Sequence, residues 1–145
     1  MRTWTLLFLL PALSLPACHH AMDAGDALAA LHDPSPKVRQ HAADSLRADN
    51  VVPAEALPVL FQAIQTEPEP SVRGAILITL GTSGAPQAKP IIDQAVMTAA
   101  EVDTRRWAGR ALKAWMIQTG AIPPNASLPP GWPYGQPGYP PIIAR

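Results

Sequence analysis

The chain has 145 residues, a formal net charge of zero and one cysteine. That length suits one small domain. A neutral balance argues against a non-specific nucleic-acid binder, which needs a basic surface, and a single cysteine excludes an internal disulfide and a four-cysteine zinc site.

The N-terminus opens with Arg2, then an apolar run from Leu6 to Leu10, then PALSLPAC at 11–18. A positive start, an apolar core and small residues before a cut are the plan of a secretory signal peptide. The run is short and broken by Pro11 and Pro16, so it does not suit a membrane span. Leu15-Pro16-Ala17-Cys18 resembles the lipobox of bacterial lipoproteins. The resemblance implies that residues 1–17 are removed and that Cys18 becomes the first mature residue. It would carry fatty acyl groups, of the palmitate class, on its sulfur and its new amino group. Residues 18–22 would then be a lipidated tether, since two or more acyl chains hold a protein firmly at a bilayer. His19 stands where aspartate commonly retains lipoproteins of Gram-negative bacteria in the inner membrane. The resemblance therefore points to the periplasmic face of the outer membrane. Ordinary cleavage near Ala17 or Ala21 is the alternative, and it leaves a secreted or periplasmic soluble protein. Cys18, His19 and His20 do not read as a metal site, because adjacent ligands rarely wrap one ion and an acylated sulfur is no thiolate.

Residues 23–31 predict a first helix with Ala27, Leu28 and Leu31 on its apolar face; Asp33-Pro34 ends it, because the residue before proline avoids helical geometry. Residues 35–48 predict a second. Ser35 suits its N-cap and Pro36 its first position, with Val38, Ala42 and Leu46 on one face. Asp49-Asn50 make a polar break. A third helix, 53–66, turns Leu57, Leu60, Phe61 and Ile64 inward; Pro58 must kink it or fall in its first turn. Glu67-Pro68 repeats the acid-proline break 34 residues after Asp33-Pro34. A fourth helix runs from Val72 to Leu80, with Ile76 between them on the same face, and GTSG at 81–84 stops it. A fifth spans 86–100, with Ile91, Ile92, Ala95 and Val96 inward. A sixth spans 104–118. Trp107, Ala111 and Trp115 recur every four residues along it, Leu112 fills the neighbouring stripe, and Gly120 suits its C-cap.

The pattern recurs. Val38, Ala42 and Leu46 reappear 34 residues on as Val72, Ile76 and Leu80, and 32 further on as Thr104, Ala108 and Leu112. Such a period signals a solenoid, in which one helix pair cannot bury its apolar stripe and stacked pairs can. The blocks Val38-Arg39 with Ala42-Ala43 and Leu46, and Val72-Arg73 with Ala75-Ile76 and Leu80, resemble the HEAT-like repeat family, above all its short bacterial HEAT/PBS-lyase-type repeats. The third copy keeps Arg105, Ala108 and Leu112 but departs from the pattern at Thr104. The resemblance covers about residues 23–118 and implies an all-α fold, a short right-handed α-solenoid of about three HEAT-like helix pairs within a repeat domain at 23–120. It also implies that Arg39, Arg73 and Arg105 serve repeat stacking. Each would pair with an acid in a turn or neighbouring repeat, such as Asp33, Asp44, Glu67 or Asp103. The other reading of this arginine ladder is a site for an anion or acidic partner.

Proline is frequent, at 18 residues, and 8 of them lie within 123–145. Residues 121–145 therefore read as a Pro/Gly-rich tail, disordered or polyproline-II-like. Trp132, Tyr134 and Tyr139 suit a docking peptide or a segment lying back across the solenoid. With Trp107 and Trp115 they are the candidate partner contacts, although Trp107 and Trp115 equally suit a seal on the last repeat.

No catalytic set emerges. His32 and His41 lack partners at nucleophile spacing, there is no HExxH, and GTSG lacks the lysine of a phosphate loop. The acids fall at turns and helix starts, which the helix dipole favours. The expectation is a non-enzymatic interaction or scaffold module at the bacterial cell envelope, without cofactor, metal or nucleic acid, bound to an unknown envelope protein and to the membrane through its lipid. One alternative is a structural accessory or assembly factor of an envelope complex. Another is a lyase-like binder of a hydrophobic small ligand, as HEAT-like repeats also occur in phycobilin lyases; a cavity beside His41 or Trp107 would favour it.

Overall fold

The computed structural model describes residues 22–130 and 132–134, so the signal-like segment, Cys18 and Tyr139 lie outside the described region. Its elements are α1 (Ala24–Ala30), α2 (Pro36–Ser45), a 3-10 turn (Ala48–Asn50), α3 (Ala56–Thr66), α4 (Pro70–Ser83), α5 (Ala88–Thr98) and α6 (Val102–Gln118), with no strand among the described residues. The fold is all-α and solenoid-like. α1 packs on α2, α3 on α4 and α5 on α6, and α4 also packs on both α2 and α6. The second helix of each pair thus forms one layer, with α4 at its centre.

Proline sets the helix starts. Pro36 and Pro70 open α2 and α4. Pro58 and Pro90 are each the third residue of their helices, α3 and α5. First-turn N–H groups have no intrahelical acceptor, so proline there removes no hydrogen bond. Pro58 therefore belongs to a first turn. Both helices start later than the apolar period suggests, at Ala56 rather than 53 and at Ala88 rather than 86. The residues upstream form tight turns, with the Ala56 N–H donating to the Pro53 carbonyl and the Ala88 N–H to the Ala85 carbonyl, both at 3.0 Å. Ser35 holds the N-cap position of α2, but its hydroxyl makes no capping bond. Instead the Asp33 carboxylate accepts the Ser35 N–H at 2.7 Å. In the equivalent turn Glu67 accepts the Glu69 N–H at 2.9 Å. The two acid-proline breaks are the same device.

α4 is longer than its periodic core, continuing past Leu80 to Ser83. Gly81 sits inside it and Gly84, at φ 63°, ends it in the left-handed region that glycine tolerates. Gly81 is needed where α6 crosses: a Cβ there would lie 2.3 Å from the Ala111 carbonyl oxygen. Buried side chains surround α4 on several sides, among them Val72, Ile76, Leu77, Thr79 and Leu80. Buried Thr79 donates to the Ala43 carbonyl at 2.7 Å, serving one of the last carbonyls of α2, which lack intrahelical donors.

The inward faces supply the core as expected through Ala27, Leu31, Ala42, Leu46, Leu60, Ile92, Val96, Ala111 and Leu112. Leu28, Leu57, Phe61, Ile64, Ile91 and Ala95 are partly buried against it. Asp49 and Asn50 break the chain after α2 with φ of 58° and 57°, a conformation that Asp and Asn visit more readily than other side chains.

Candidate functional site

One edge of the solenoid carries the arginines. Arg39 on α2 grips Glu67, at the end of α3, through two parallel bonds of 2.8 Å, and donates to the Asp33 and Pro34 carbonyls at 2.8 and 3.1 Å. Glu67 is buried; burial pushes its carboxyl up, but the hydrogen bonds from Arg39 and the Glu69 N–H, with the charges of Arg39 and Arg73, outweigh that and hold it below the ordinary value. Arg39 is correspondingly pushed up by the Glu67 bond. Arg73 on α4 repeats the pattern more loosely. It meets Glu101 at 2.9 Å, and this carboxylate is about half exposed. Glu101 is held low first by its own backbone N–H and then, against burial, by Arg73. Arg105 has no acid partner among the described residues, and its Nε is buried without an acceptor there.

The difference between the first two rungs has a local cause. Glu67 and Ala99 both end a first helix, and Glu69 and Glu101 both sit at the following N-cap. Ala99 thus stands at the position of Glu67, and the acid that Arg73 reaches is the N-cap one. Two repeat-related recesses flank these rungs. One, of about 390 Å³, is lined by Arg39, Gln62, Thr66 and Glu67. The other, of about 620 Å³, is lined by Arg73, Gln94, Thr98 and Glu101, with Leu77 and Ile91 as apolar walls.

The last helix bears the aromatic groups. Trp107 lies against α4 at Gly74, where a Cβ would come within 2.6 Å of its ring. The Arg110 guanidinium sits 4.7 Å from the Trp107 ring centroid, a cation–π distance. Trp115 donates its indole N–H to the Ala85 carbonyl at 2.9 Å and has the Lys89 ammonium 5.6 Å from its ring. Trp107 therefore ties α6 to α4, and Trp115 ties it to the turn before α5 and to α5 itself.

The chain then turns back. Gly120, at φ 73°, follows the C-cap of α6, and the Ala121 and Ile122 N–H groups both donate to the Met116 carbonyl. Residues 121–130 have no regular structure. Lys113 donates to the Ala126 carbonyl at 3.1 Å, tying this segment to α6. Pro133 is buried, with its Cδ 2.9 Å from where a Gly109 Cβ would be. Tyr134 is buried and donates its hydroxyl to the Arg105 carbonyl. Burial raises its phenol to about 12, against a small opposing effect of Arg105. Between α6 and this returning segment lies a third recess, of about 460 Å³, whose helix wall carries Arg106, Arg110 and Lys113. Leu128, Pro129, Trp132 and Tyr134 form the facing wall.

The structure thus gathers Trp132 and Tyr134 at one groove, with Trp107 reaching it through Arg110, while Trp115 sits at the Ala85 turn. Cys18 and Tyr139 lie outside the described residues. His41 and Trp107 line none of the three recesses. The sequence reading missed Arg106, Arg110 and Lys113. The signal was present: all 11 acidic residues lie at or before Asp103, and residues 104–145 carry only basic charge. Overall neutrality is a cancellation between two unlike ends.

The family profile described as HEAT repeats matches residues 26–113, more than half of the 145-residue chain. No curated protein and no solved structure matches the chain.

Proposed function

The chain belongs to the HEAT repeat family, and from that premise we propose that it is a non-enzymatic protein-interaction module, serving as a scaffold or assembly factor at the bacterial cell envelope and anchored through acylated Cys18. The observation that carries the protein-binding reading is the groove between α6 and the returning segment. It sets a tryptophan and a tyrosine of the returning segment opposite arginines of α6, and these are the side chains that dominate protein interfaces. The acids with depressed pKa values do not act as poised catalysts. Glu67 and Glu101 are engaged by arginines. Among the described residues no group of His, Cys, Asp and Glu is placed to hold a metal ion, and no helix is long and apolar enough to cross a membrane. In this reading the membrane attachment rests on Cys18. A soluble secreted or periplasmic form, cut near Ala17 or Ala21, is the alternative.

Capture from envelope extracts tests the reading, using the full chain beside a chain ending at residue 120. A protein enriched by the first and lost with the second supports it. No enrichment with either sinks it. Cys18→Ser tests the anchor separately. It should move the protein out of the membrane fraction and remove the lipid mass, and retention at unchanged mass refutes lipidation.

A further inference from the structure

We propose that the groove between α6 and the wall formed by Leu128, Pro129, Trp132 and Tyr134 is a binding site for a short acidic, extended segment of a partner protein. This rests on the interaction-module reading and adds the chemistry of the partner.

The first observation is charge. Arg106, Arg110 and Lys113 line one wall, and among the described residues no carboxylate lines the recess. Asp103 meets Arg106 at 3.5 Å, with both side chains mostly exposed. Such a pair is weak and readily exchanged. The second observation is spacing. Residues 106, 110 and 113 follow a four-then-three step and so share one face of α6. Arg106 and Arg110 are about 6 Å apart along the axis. Alternate side chains of an extended strand recur every 6.6 Å or so. An extended peptide with acids at alternate positions therefore matches Arg106 and Arg110 in register. Its intervening side chains face Leu128, Pro129 and Trp132. The third observation is preorganisation: Arg110 is stacked on Trp107 and Lys113 is tied to Ala126, so little ordering cost remains for binding.

Competing occupants fit less well. Residues 22–103 carry all 11 acids against Lys37, Arg39, Arg47, Arg73 and Lys89. A broad anionic surface, such as a bilayer or a long nucleic acid, would meet repulsion beside the groove, whereas a short segment stays within it. A second copy could offer its acids. However, Asp23, Asp33, Asp44 and Glu67 already accept hydrogen bonds within their own chain.

The test uses the full chain and a fluorescent twelve-residue peptide alternating glutamate with leucine, alongside the same peptide with glutamine for glutamate. Anisotropy should show the glutamate peptide binding at least about tenfold more tightly, with affinity falling as salt rises. The double variant R106Q/R110Q changes two exposed side chains and should lose about tenfold for the glutamate peptide. Lys37→Gln, on α2, should change nothing. Equal binding of the two peptides, insensitivity to R106Q/R110Q, or tighter binding to phosphatidylglycerol vesicles than to the peptide would each overturn the inference. So would concentration-dependent self-association of the free chain that R106Q/R110Q abolishes. Tail-dependent capture from extracts that survives R106Q/R110Q would sink this inference while leaving the interaction-module reading intact. Peptide binding without any captured partner would do the reverse.

Discussion

Gly74, Gly81 and Gly109 lie in the packing of α6, and each has a different neighbour, so alanine at each should have a different result. At Gly81 the new Cβ would lie 2.3 Å from the Ala111 carbonyl oxygen and 2.9 Å from its Cα. A comfortable carbon–oxygen contact is about 3.3 Å or more, so α4 and α6 must part by about 1 Å. Neither atom is a side-chain end that can swing aside. Overpacking of this kind costs about 1–3 kcal/mol, and a rigid backbone contact belongs at the upper end. Alanine returns at most about 1 kcal/mol of helix propensity. The net loss is roughly 1–2 kcal/mol, which lowers Tm by about 5–15 °C for a domain of this size. At Gly74 the clash is with the Trp107 ring, at 2.6 Å. That side chain can rotate, so the loss should be smaller and accompanied by a change in tryptophan fluorescence. At Gly109 the near atoms belong only to residues 132–134. There the helices should keep or gain stability while the returning segment lets go. Thermal unfolding by circular dichroism measures the series. A Tm for Gly81→Ala at or above that of the parent would refute the claim that backbone approach, rather than helix propensity, fixes this position.

Three further outcomes follow from the geometry. Glu67 has a carboxyl pKa depressed in the fold, so its contribution is present above the unfolded value and is lost as pH falls through the folded one; Glu67→Gln should lower Tm at neutral pH and shrink its fall below pH 4.5, and an unchanged acid limb would contradict the pairing. Tyr134 has its phenol raised from 10.0 to about 12, so docking of the returning segment should be complete below pH 10 and lost as pH rises towards about 12. Ultraviolet titration of Tyr139→Phe isolates this group, and a midpoint near 10 would mean that Tyr134 is not buried. Thr79→Val removes the bond to Ala43 and should cost about 1–3 kcal/mol in urea unfolding, with Thr79→Ser closer to the parent; a valine variant as stable as the parent would show that the bond adds nothing.

What could be read without coordinates was local or periodic. Asp33-Pro34 and Glu67-Pro68 mark the turns because proline's missing N–H and the acid's acceptor act on residues one or two positions away. The 34- and 32-residue offsets between Val38, Val72 and Thr104 announce stacked pairs because each pair needs the next to bury its stripe. The position of Pro58 stayed open between a kink and a first turn, since the period of a helix does not say where its first hydrogen bond begins.

Contacts between distant residues belonged to the tertiary structure. Gly81 reads as a stop signal by itself, yet it lies inside α4 because α6 crosses there. Arg73 had several acids within reach on paper; Ala99 in the place of Glu67 leaves it to Glu101, a choice made by the geometry of two turns. The basic end was written in the chain as a lack of acids after Asp103, but a net charge of zero conceals order along the sequence. Only the return of residues 121–130 and 132–134 onto α6 makes a groove of it. That return depends on a buried Pro133, a bare Gly109 and the Tyr134 bond to Arg105. Sequence periodicity fixes which side of a helix is apolar, whereas the close approach of backbones more than twenty residues apart is settled by packing alone.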